Sequence, residues 1–171
     1  SLMLAASVWG NPEVGSYVQT FNSTTVAQEM LAGFLNNLPL IMDELQIIKD
    51  KNSFDELIYK LCEGMGKNRG QKSGGIQKVQ TWRNCILTTG EYPLTQSNSG
   101  AGAVNRIIEV DCKEIQFFDN PKAVVNVLKE NYGFAGKKWV EWLSVKENKQ
   151  RVIDLQKKFY NDFEQKESTA K

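Results

Sequence analysis

Residues 38–45, LPLIMDEL, constrain this chain more than any other segment. A nearly continuous apolar run ends in two adjacent carboxylates, Asp43 and Glu44. A strand with one wet face alternates apolar and polar residues. A run without alternation fits a strand buried on both faces, as in a parallel sheet with helices above and below it. The segments around it favour the same arrangement. Residues 2–9 read as the back half of a helix stopped by Gly10-Asn11-Pro12, and residues 17–21 read as a short strand. Thr25 and Gln28 have the spacing of a capping box, with Val26, Met30, Leu31 and Phe34 recurring behind it at helical intervals. Ser53 and Glu56 repeat that spacing ahead of Phe54, Leu57, Ile58 and Leu61.

Beyond the first half, a strand-like run from Gln77 to Thr89 ends in Cys85-Ile86-Leu87-Thr88-Thr89, and Arg106–Val110 reads as a further strand. Residues 64–75 and 95–105 are loops by composition. Asn120 ahead of Pro121 opens a helix to about Glu130. Lys137–Leu143 reads as helical, and Val152, Leu155, Phe159 and Phe163 share one side of a last helix. The aromatics Phe117, Phe118, Tyr132, Phe134, Trp139 and Trp142 are expected to form the core of this helical part. Strands alternating with helices define an α/β domain over residues 1–112, followed by a helical subdomain and tail over 113–171.

Composition removes several chemistries. The 171 residues include no histidine, which excludes Ser-His-Asp and Cys-His nucleophiles, imidazole bases and most zinc sites. Cys62, Cys85 and Cys112 lie far apart, a pattern of reduced thiols, so the expected compartment is the cytoplasm. No segment approaches the roughly 18 apolar residues of a membrane span, and no membrane association is expected. Twenty-one Lys/Arg against 20 Asp/Glu leave a net charge of +1, so attraction to a polyanion must come from local clustering.

The largest net positive cluster follows the second capping-box helix. Residues 60–83 hold Lys60, Lys67, Arg69, Lys72, Lys78 and Arg83 against the single acid Glu63, with glycines between them. Phosphate backbones attract such segments without sequence preference, which makes Lys67, Arg69, Lys72 and Lys78 candidate nucleic-acid contacts. The other reading is a solvated charged loop, or action of Lys67 and Arg69 on a nucleotide in trans. Asp43 and Glu44 carry the sharpest chemical signal. An apolar strand ending in two acids is how nucleotide hydrolases hold Mg²⁺ with the first acid and polarise water with the second. Thr88 or Thr89, at the end of the next apolar run, has the type and place of a γ-phosphate sensor, with Asn84 a weaker candidate. Arg106, after a loop, has the place of an arginine that reaches a neighbouring subunit's nucleotide. Each also has a plain reading as a solvated strand end. Gly100-Ala101-Gly102 is too slight for a phosphate loop.

Taken in order, AASVWGNP (5–12), LPLIMDEL (38–45), GKNRG (66–70), WRNCILTTGE (82–91), NRIIEVD (105–111) and NYGFAG (131–136) resemble one family. It is a prophage-type domain of unknown function found at the C-terminal end of primase–helicase-like proteins, whose members look like ring-helicase P-loop ATPases. The resemblance runs from about residue 3 to residue 144. It implies a truncated P-loop-NTPase-like parallel sheet, because the family's GK[ST] loop precedes the helix ending in AASVWG. It also implies Mg²⁺ and ATP as cofactors of the intact domain, single-stranded DNA as partner, and a homo-oligomeric ring. By that reading the chain is part of a nucleic-acid-dependent ATPase or helicase that does not turn over ATP alone. The alternative is a non-catalytic module binding nucleic acid or a partner.

Overall fold

The structure, a computed structural model, describes residues 2–43, 51–70, 75, 77–90, 93 and 101–169, with the backbone alone at 51–55, 101, 103 and 163–169. It divides into two compact units, Ser1–Tyr132 and Gly133–Lys171. The first is a mixed α/β unit. Helix α1 (Leu2–Ser7) leads to β1 (Gln19–Thr20), α2 (Thr25–Leu35), β2 (Leu40–Asp43), α3 (Lys51–Glu63), β3 (Ile86–Thr88), α4 (Ala101–Val104) and α5 (Pro121–Glu130). The strands form a parallel sheet in the order β1-β2-β3, with Gln19 opposite Met42, Thr20 opposite Asp43 and Met42 opposite Thr88.

The central strand behaves as its sequence requires. Leu40, Ile41 and Met42 are all fully buried. Because side chains alternate across a strand, Leu40 and Met42 enter one cluster with Phe21, Ala32, Leu61 and Trp82. Ile41 points the other way, against Ala6 and Val18. Helix α1 therefore covers one face of the sheet, while α2 and α3 cover the other. Each of the three β2 side chains contributes about 1.5–3 kcal/mol by leaving water. The Tyr17 hydroxyl donates to the Pro39 carbonyl (3.0 Å), tying the approach to β1 to that of β2.

Helix α2 is capped one residue earlier than its sequence spacing predicts: the Thr24 hydroxyl accepts from the Ala27 N–H. Its rotation also differs. Val26, Met30 and Phe34, the expected inner stripe, face solvent, and Phe34 is 84% exposed. Gln28, Glu29 and Ala32 are buried instead, with Leu31 and Leu35 packed beside them. Helix α3 begins at Lys51, so Ser53 lies inside it and is not its cap.

The run from Gln77 to Thr89 divides in two. Residues 77–82 pair antiparallel with 64–69: Gly66 N–H donates to Gln80, Trp82 N–H to Gly64 and Gln77 N–H to Arg69. The Arg83 N–H then bonds the Asn36 carbonyl beyond α2, and the Asn84 amide bonds Ala32. Those contacts turn the chain, and only Ile86–Thr88 joins the sheet. Gly64 makes the hairpin's entry passable, since its φ is +70° and a Cβ there would lie 2.6 Å from the Trp82 carbonyl.

Arg106–Val110 is not a strand. Ala101–Val104 is a helical turn, and Ile108, 94% exposed, has no sheet neighbour. Apolar β-formers make a strand only where a partner ladder receives them. Helix α5 begins at Pro121, with the Asn120 side chain accepting from Ala123 N–H, as its sequence predicts.

The second unit is a pair of helices, α6 (Phe134–Leu143) and α7 (Lys146–Thr169). The turn between them is held by the Ser144 hydroxyl on Glu141 and by the Asn148 amide on Trp142. The aromatics expected as a core are largely exposed: Phe117, Tyr132, Phe134, Trp139 and Trp142 all keep more than a third of their surface. A pair of helices has little interior for Phe134, Trp139 and Trp142, whereas Phe117 and Tyr132 belong to the first unit. The rings of Trp139 and Trp142 stack on one another at 5.1 Å instead. Among the described residues no helix is long and apolar enough to cross a membrane.

Candidate functional site

Parallel pairing brings the C-terminal ends of the three strands to one edge of the sheet. Asp43 is the last residue of β2, placed there by the buried Leu40–Met42 segment. Thr89 follows β3, and its hydroxyl donates to Asp43 Oδ1 at 2.5 Å. The two sequence signals, 46 residues apart, therefore meet. The Thr88 hydroxyl turns to the Thr89 carbonyl at 3.4 Å, so Thr89 is the threonine that reaches the acid. Thr20 shares the Asp43 register on the other side. Glu44 lies outside the described residues.

A carboxylate beside a hydroxyl is a hard-oxygen set, the kind that holds Mg²⁺ when one or two carboxylates act together with phosphate oxygens and water. The donor chemistry at Asp43 and Thr89 thus fits a hard divalent cation such as Mg²⁺. Among the described residues no three Asp, Glu, Cys or His side chains gather as an all-protein metal cage.

Arg106 makes its contacts elsewhere. Its guanidinium donates to the Gly102 carbonyl at 2.6 Å and lies 5.0 Å from the centre of the Tyr59 ring on α3. The turn passes close to that ring, since a Cβ on Gly102 would lie 2.5 Å from the Tyr59 hydroxyl.

The basic segment is built around an acid that its composition did not reveal. Glu29, 1% exposed, meets the Lys60 ammonium at 2.7 Å and the Arg69 guanidinium at 2.5 Å. Burial alone would raise its pKa. The hydrogen bond from Arg69, the contact from Lys60 and both positive charges outweigh that and hold the carboxyl at about 2. The hairpin backbone runs close by, since a Cβ on Gly66 would lie 2.9 Å from Glu29 Oε2. Lys67 points outward, with Glu56 at 3.5 Å, and Lys78 and Arg83 are exposed. Lys72 lies outside the described residues. Two of the six cations are therefore committed to a buried partner, and three stand open to solvent.

Glu29 was the residue that sequence reasoning missed. Its signal was faint: it shares a helical side with Ala32 and with Gln28, opposite the obvious apolar stripe. Trp82 is likewise no surface platform. It is 3% exposed, and its indole N–H donates to the Leu61 carbonyl at 2.8 Å.

In comparisons with known proteins, the model of a family described as "Domain of unknown function (DUF927)" matches residues 1–81. The matched span contains Asp43, Glu29 and the basic hairpin nearly to its end, whereas Thr88, Thr89 and Arg106 lie beyond it. No curated protein and no solved structure matches the chain.

Proposed function

We propose that the C-terminal edge of the sheet is the metal–nucleotide side of a nucleic-acid-dependent ATPase of the P-loop, ring-helicase type. The hydrogen bond from Thr89 to Asp43 carries this reading, because it joins an acid and a hydroxyl from adjacent parallel strands at the edge where such sheets bind ligands. Bound there with ATP, Mg²⁺ would offset charge on the phosphates. Asp43 would hold the metal, and Thr89 would keep that carboxylate turned toward it. Glu44, next along the chain, would take the proton of the attacking water, and Arg106 would serve the nucleotide of a neighbouring copy in a ring. No GxxxxGK[ST] sequence occurs in the 171 residues. The reading assigns the phosphate cradle to residues outside them, so turnover by these residues alone is expected to be negligible.

The test therefore reads the metal. Mn²⁺ binding without nucleotide, followed by electron paramagnetic resonance, should weaken about tenfold or more in Asp43→Asn and by less in Thr89→Val. Equal binding by Asp43→Asn and the unmodified chain would remove Asp43 from the site.

A second reading is favoured by Lys67, Lys78 and Arg83 standing exposed on or beside one pinned hairpin: a module that binds single-stranded DNA irrespective of ATP. Fluorescence anisotropy with an oligo-dT strand should show affinity falling with salt. The double change Lys67→Ala, Lys78→Ala should lower the log–log slope by about 1.4, roughly 0.7 for each phosphate no longer neutralised. Binding that ignores salt would rule the reading out.

A further inference from the structure

The buried carboxylate divides the basic segment into cations that hold the hairpin and cations that are open to a ligand. Glu29 on α2 faces Lys60 on α3 and Arg69 on the hairpin, so one acid connects three elements. The hairpin passes directly over it at Gly66, and Gln80 packs against Gly33 one turn further along α2. Burial separates the residues of the two paired segments: Gly66 and Trp82 are buried, while Met65, Lys67, Lys78 and Thr81 are exposed.

Arg69 is therefore poorly placed to serve a phosphate. Moving it to a nucleic acid would leave Glu29 charged, buried and one partner short. Lys67 has no such tie, because its contact with Glu56 joins two exposed side chains.

We propose that Glu29, Lys60 and Arg69 form a clamp that presents the 64–82 hairpin to single-stranded nucleic acid, with Arg69 as a positioning residue and Lys67 and Lys78 as the phosphate contacts. This rests on the second reading above. The two roles for Arg69 make opposite predictions for Glu29→Gln. If Arg69 were a phosphate contact, releasing it and removing a negative charge would both tighten binding. As a clamp, the same change loosens the hairpin and weakens binding.

The experiment combines oligo-dT anisotropy with amide hydrogen exchange of the free chain, read at the Gly66 and Trp82 N–H groups. Glu29→Gln and Arg69→Gln should each speed exchange at Gly66 by about tenfold or more and weaken oligo-dT binding several-fold, while Arg69→Lys should restore both. Tighter binding by Glu29→Gln would overturn the proposal. So would weaker binding by Arg69→Gln with Gly66 exchange unchanged. Should Glu29→Gln fail to fold, Arg69→Gln carries both readouts, because Arg69 is a third exposed and its loss leaves Lys60 on Glu29. If Lys67→Ala, Lys78→Ala binds like the unmodified chain, the nucleic-acid reading itself fails and the proposal with it. If that pair weakens binding while Arg69→Gln leaves exchange unchanged, only the clamp fails.

Discussion

Glu29→Gln is expected to lower the stability of the chain by about 3 kcal/mol at neutral pH, the low end of the 3–5 kcal/mol seen when one partner of a buried ion pair is removed. The side chain that replaces it keeps one acceptor oxygen and turns an NH₂ toward the second cation. Lys60 is then left buried with its charge unmatched, while Arg69, a third exposed, can swing to water. That escape keeps the loss at the low end. The effect should also depend on pH in one direction. The folded carboxyl, held at about 2, binds its proton more weakly than in the unfolded chain, where the value is about 4.3. Its contribution is thus complete above about pH 5 and declines as pH falls through the interval toward 2. Urea unfolding at pH 7 and again near pH 2.5 reads both points. A gap between the unmodified chain and the variant that stays as wide at pH 2.5 would show that the carboxylate charge is not its source.

The second large effect belongs to Trp82. Its ring fills the cluster formed by Phe21, Ala32, Leu40, Met42 and Leu61, and its indole N–H satisfies the Leu61 carbonyl near the end of α3. Trp82→Ala removes the ring, leaves a cavity and strands a buried carbonyl, for a combined loss of about 3–5 kcal/mol. Trp82→Phe retains most of the packing and loses the hydrogen bond, so about 1–3 kcal/mol is expected. The two variants together separate packing from hydrogen bonding in thermal or urea unfolding. A loss below about 1 kcal/mol for Trp82→Ala would mean that the indole is not part of the core.

These two residues also mark the limit of what sequence reveals here. The buried central strand was legible because Leu40-Ile41-Met42 leaves no side for water, whatever surrounds it. The start of α5 was legible because Asn120 and Pro121 act through local backbone geometry. The encounter of Asp43 with Thr89 was legible as a pair of strand ends, although not which of the two threonines reaches the acid. Arg106–Val110 was misread because β-propensity describes a residue's fitness for a ladder and not the ladder's presence. The helical aromatics were misread for a related reason: apolar spacing says which residues share a side and not what covers that side.

Sequence by itself determined a doubly buried parallel strand ending in an acid, the cap of α5, and the absence of imidazole chemistry in these residues. Those follow from covalent connectivity and from interactions within a few residues. Tertiary structure alone decided how α2 is rotated, where the basic segment is pinned and which cations remain open. Val26, Met30 and Phe34 offered α2 an apolar face, yet Glu29, Ala32 and Leu35 took the inner position. Lys60 and Arg69, arriving from 31 and 40 residues away along the chain, supply the charge that makes a buried carboxylate tolerable. A helix's local pattern cannot encode a counter-charge held on another element, so the side that turned inward was settled only when those elements met.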